Sequence, residues 1–87
     1  MEKQDFLVKC LEISNTLGDR LPHAAFEVIS NFEWQITNHG RREDATKKTM
    51  TEALGDMYII LQMLAFHFNL DGAEVEKCVE KELNLRC

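Results

Sequence analysis

Eighty-seven residues, 45% of them hydrophobic and 29% charged, suit one folded domain and leave no room for a second core; chains this short are marginal unless they oligomerise. Ten Lys and Arg against 15 Asp and Glu give a net charge of −5, which opposes a phosphate backbone and removes nucleic acid from the expected partners. Cys10, Cys78 and Cys87 are odd in number and contain no CxxC pair, arguing against a disulfide framework or zinc site and for reducing, cytoplasmic surroundings.

The chain opens MEKQD with no uninterrupted apolar stretch behind it, which is not the pattern of a signal peptide. Phe6, Cys10, Ile13 and Leu17 recur at helical spacing, with Leu7 and Leu11 beside them, and predict an amphipathic helix over Lys3 to Leu17 that Gly18 stops. Leu21-Pro22 opens a second helix, because proline in a first turn forgoes no intrahelical hydrogen bond. That helix is expected to run to about Asn38, with Ala25, Ile29, Phe32 and Ile36 as its inward stripe and Phe26 and Val28 on the flanks.

Arg41 to Asp44 reads as a polar connection, and Ala45 to about Asn69 as a third helix of some two dozen residues, roughly 36 Å long. From Met57 to Phe68 only Gln62 and His67 interrupt the apolar residues, so this helix is expected to be covered on several sides, within the protein or by another subunit. The run is shorter than the about 20 residues a membrane span needs. Asp71, with Glu74 behind it, is a capping pair for a fourth helix whose inward face is Val75, Val79 and Leu83. Cys10 and Cys78 lie on apolar faces and are expected in the core. The predicted fold is all-α, a four-helix bundle that oligomerises through its long central helix.

Two acidic helices meeting across a bundle can place carboxylates around Mg²⁺, which takes hard oxygen ligands. The segments Glu27-Val-Ile-Ser-Asn31-Phe-Glu-Trp-Gln-Ile36 and Thr51-Glu-Ala-Leu-Gly-Asp56-Met-Tyr-Ile-Ile60 resemble the paired motifs of MazG-like nucleotide pyrophosphohydrolases. The resemblance spans about residues 22–86, and Phe68-Asn-Leu-Asp71 ahead of a charged terminal helix is similar to the family pattern as well. It implies a helical unit that assembles as a dimer or tetramer, with EExxE on one helix facing ExxD on the next. Together these would hold Mg²⁺ while nucleoside triphosphates are split into monophosphate and pyrophosphate.

Mapped residue by residue, the resemblance puts Glu27 at the first acid of EExxE, Val28 at the second and Asn31 at the last. Sliding by one residue places Glu27 at the second acid and Ser30 at the last, and restores nothing. On the facing helix Asp56 is present, but Ala53 stands three residues before it, with Glu52 one position round. Glu27, Glu52 and Asp56, with Asn31 as a weaker ligand, are thus the candidate remnant of a metal site. Trp34 is the candidate for stacking on a base, and Arg86 for meeting phosphate.

His23 and Glu27, four residues apart, lack a third metal ligand. His67, inside the apolar run, reads as a buried or interfacial histidine, and Phe66 as core. No nucleophile-and-base order and no Gly-rich phosphate loop is present. The expectation is therefore a degenerate MazG-like domain acting by binding a partner protein or a nucleotide, as a homodimer or homotetramer. An active Mg²⁺-dependent pyrophosphohydrolase and an unrelated helical adaptor are the alternatives. No membrane is expected among the partners.

Overall fold

The computed structural model describes the backbone of residues 1–86 and the side chains of residues 1–84. Among the described residues there are helices and no strands. In chain order these are α1 (Lys3–Leu17), a single 3₁₀ turn (Gly18–Arg20), α2 (Leu21–Asn38), α3 (Lys47–His67) and α4 (Gly72–Arg86). Without the turn, Lys3 to Asn38 would be one 36-residue helix and the chain would have three. Gly18 divides it: its φ of +50° lies in the left-handed region, and its N–H closes α1 by donating to the Ser14 carbonyl.

α2 begins with Pro22 in its first turn and ends at His39, beyond which Gly40 takes a φ of +75°. The eight residues that follow α2 fold back on themselves. Gly40 N–H donates to the Ala45 carbonyl at 3.0 Å and Ala45 N–H to that of Arg42 at 3.1 Å, which seats Ala45 in the interior. Thr46 then caps α3. Its hydroxyl accepts from Thr49 N–H while the Thr49 hydroxyl accepts from Thr46 N–H, a reciprocal box that starts the helix at Lys47 rather than at Ala45.

α3 closes on Asn69, whose φ of +55° is left-handed. Leu70 N–H donates to Ala65 and Asn69 N–H to Phe66, the pair of bonds by which a left-handed residue satisfies the last carbonyls of a helix. Asp71 caps α4, its carboxylate accepting from Ala73 N–H at 2.9 Å. No described helix is long and apolar enough to cross a membrane.

α3 is the hub, packing on both α2 and α1. α2 and α3 form an antiparallel hairpin. At one end Leu21 and Ala25 meet Ile60 and Met63 with Cys10 of α1; at the other, the Thr49 hydroxyl donates to Gln35 Oε1 at 2.7 Å. Burial pushes the Cys10 thiol above its usual range. The Ser14 hydroxyl, also buried, reaches the Met63 carbonyl at 3.4 Å.

The inward faces differ from those the apolar stripes suggest. On α1 the buried line runs through Cys10 and Ser14, leaving Ile13 and Leu11 exposed. On α2 it runs through Leu21, Ala25, Val28, Phe32 and Gln35, leaving Phe26, Ile29 and Ile36 outside. The chain has more large apolar groups than one inward stripe can hold. Gln35 goes in because Thr49 satisfies it, and the surplus goes out. On α3, Ile60 and Met63 are buried and Leu64 to His67 half-buried between α1 and α2, while Tyr58, Ile59 and Leu61, and Phe68 just past the helix end, are exposed, so the first half of the apolar run is covered less than the second.

The expected core placement of α4 is also corrected. Every described residue of α4 is exposed, including Val75, Cys78, Val79 and Leu83. The start of α4 meets the rest of the chain, where Ala73, Val75 and Glu76 help wall an open groove with Phe6, Leu7, Tyr58 and Leu61. Among the described residues, none of the remainder of the helix is buried.

Candidate functional site

The α2–α3 hairpin has three distinguishable faces, and the register fixes which residues share each. An α-helix turns about 100° per residue, so positions spaced by three, four and seven lie on one side. On α2 the inward face is 21/25/28/32/35, and on α3 it is 49/53/57/60/64. Because the helices are antiparallel and face each other, a displacement in the same sense of numbering leads to the same side of the pair.

One side carries Glu27, Asn31, Trp34 and Asn38 from α2, at spacings of four, three and four. From α3 the same side carries Glu52, Asp56 and Ile59. The two segments singled out in the sequence therefore share a side of the hairpin, at comparable levels, since Gln35 stands opposite Thr49. All the candidate ligands are exposed. Glu27 already pairs with His23, Oε1 to Nε2 at 3.1 Å, on a solvated surface where such a pair contributes little. Trp34 lies at 36% exposure, its ring partly open to solvent.

Among the described residues, no three His, Cys, Asp or Glu side chains converge where they could hold a metal ion. The positions closest to the inter-helix seam are apolar: Ala53 is 2% exposed, and Val28 packs against the core. An octahedral Mg²⁺ site takes its protein oxygens from converging carboxylates, and this donor set, spread over an open face, does not supply them. Arg86 is the last residue of α4 and its side chain lies outside the described residues, as does Cys87. His67 is half-buried and meets Phe68 edge-on at 4.9 Å between ring centres.

The opposite side of the hairpin was not singled out from the sequence. It carries Phe26, Ile29, Glu33 and Ile36 from α2 and Leu54, Tyr58, Leu61 and Phe68 from α3. Phe26 and Tyr58 are 68% and 67% exposed and stand at the same level on opposite rims. The signal was present as a second period within α2, where Phe26, Ile29 and Ile36 repeat beside Leu21, Ala25, Val28 and Phe32. α2 thus carries two apolar stripes, one turned inward and one exposed. Comparison with family models, curated proteins and solved structures finds no match to the chain.

Proposed function

We propose that the chain is a MazG-like helical module that works by binding and has lost efficient pyrophosphohydrolase chemistry. Its acidic face would hold a protein partner or a nucleotide rather than turn one over. The single observation that carries this reading is Ala53: the α3 position where the resemblance expects an acid is a buried methyl group against α2. Asn31 and Val28 depart from the pattern on the facing helix, so the loss is on both sides of the seam. Removing even an outer partner of a metal ligand costs about 10- to 100-fold in affinity or activity, and these positions correspond to the ligands themselves.

The alternative of a working Mg²⁺-dependent pyrophosphohydrolase draws on one observation, that Glu27, Asn31, Glu52 and Asp56 share a side of the hairpin. Incubation of the protein with canonical and modified nucleoside triphosphates and Mg²⁺, followed by pyrophosphate detection, separates the two. The expected outcome is no turnover above a protein-free control. Robust turnover that disappears in Asp56→Ala would establish the enzyme reading instead.

A further inference from the structure

Among the α-helices, α4 is the one of which no described residue is buried. An isolated helix of its 15 residues is marginal in water, since nucleation is costly and most helical stability in proteins comes from a packed apolar face. The sequence provides such a face. Val75, Val79 and Leu83 repeat at intervals of four and are 45%, 51% and 57% exposed. At its start this stripe runs into the groove that Val75 walls with Phe6, Leu7, Tyr58 and Leu61. A continuous apolar track therefore leads from the groove along the outer length of α4.

The charges beside that track are sorted by sign. With Val79 at the centre of the stripe and about 100° per residue, Glu76 and Glu80 fall along one edge and Glu82 along the other. Lys77 and Lys81, two residues either side of Val79, lie about 160° round the helix from it, on the back. There Lys77 meets Glu74, Nζ to Oε1 at 3.7 Å, an exposed pair that contributes little. Among the described residues of α4, every charged side chain that borders the stripe is acidic. The opposite wall of the groove carries Lys3, so the acidic edges belong to α4 itself. Like charges on those edges oppose the packing of α4 on a second α4, and the net charge of −5 opposes acidic partners in general.

We propose that α4 is the docking helix for a different protein, and that this partner presents an amphipathic helix whose apolar stripe is bordered by Lys and Arg. Laid along the track, such a helix sets its apolar residues on Val75, Val79 and Leu83 and its cations against Glu76, Glu80 and Glu82. Apolar burial supplies the attraction, while the edge charges fix the alignment and turn away acidic competitors. One end of the partner helix enters the groove beside Phe6 and Leu61. Glu27, Glu52 and Asp56 take no part, so the inference uses a different surface from the MazG-like reading and is independent of it.

Two labelled synthetic peptides of about 21 residues test it, each of three heptads with Leu at both core positions, one flanked by Lys and the other by Glu. Their fluorescence anisotropy is followed as the full wild-type chain is added. The Lys-flanked peptide is expected to bind about tenfold more tightly than the Glu-flanked one, and to weaken as salt rises from about 0.05 M to about 0.5 M. Glu76→Lys combined with Glu80→Lys should reverse the preference. Val79→Glu, at an exposed position, should abolish binding while circular dichroism shows the chain still helical. That variant adds a negative charge, so an attachment by net charge alone would tighten instead. Glu52→Lys combined with Asp56→Lys should leave the affinity unchanged. A Lys-flanked peptide that does not bind, binds no better than the Glu-flanked one, or still binds Val79→Glu would overturn the proposal. So would a wild-type oligomer that Val79→Glu splits, since a second copy would then occupy the stripe.

Discussion

Gln35 is the residue on which the hairpin's alignment turns. The side chain is 6% exposed, and Thr49 donates to its Oε1 at 2.7 Å. The two partners are unequal. Thr49→Val leaves a buried acceptor unpaired and removes half of the α3 cap, and is expected to cost about 1–3 kcal/mol. Gln35→Leu leaves the Thr49 hydroxyl its bond to the Thr46 carbonyl at 3.0 Å and is expected to be near neutral. Urea titrations of both variants at one fixed protein concentration measure the asymmetry. The pairing was not legible in the sequence, because a polar residue between Trp34 and Ile36 looks solvent-facing until a partner across the hairpin is known. The carboxylates of the acidic side were legible as residues, and their shared side followed once the antiparallel register was known.

At the scale of the elements, sequence and structure agree where termination has a local chemical cause. The Leu17 end, the Pro22 start, the Asn38 end and the Asp71 cap each rest on a glycine, a proline or a capping carboxylate at or close to the helix end it sets. The start of α3 was missed by two residues, since a box made by two threonines is a weaker signal than one closed by Glu or Gln. Inward faces were the least legible. Apolar periodicity shows which residues avoid water, and where two apolar faces exist it does not say which is covered by the same chain. α4 marks the limit of that reasoning: its Asp71 cap is as expected, but the stripe Val75, Val79 and Leu83 expected to face inward is exposed. The corner between α1 and α2 depends on Gly18. A Cβ there would meet no neighbour, so Gly18→Ala tests backbone conformation alone. At a φ of +50° and ψ of −123°, a conformation non-glycine residues avoid, it is expected to cost about 1–3 kcal/mol, seen as a lowered melting temperature at matched concentration.

For the molecule as a whole, the division of the hairpin into an oily side and an acidic side governs its solution behaviour. The dye anilinonaphthalene sulfonate is expected to bind the native, helical chain through the exposed Phe26, Leu54 and Tyr58. Its fluorescence should fall in Phe26→Glu combined with Tyr58→Glu and stay unchanged in Glu52→Lys. Glu27, Glu52 and Asp56 lie on the opposite side of the hairpin from Phe26 and Tyr58, so whatever settles on the oily side leaves the carboxylates in water, and whatever is drawn to the carboxylates leaves the oily side as it was.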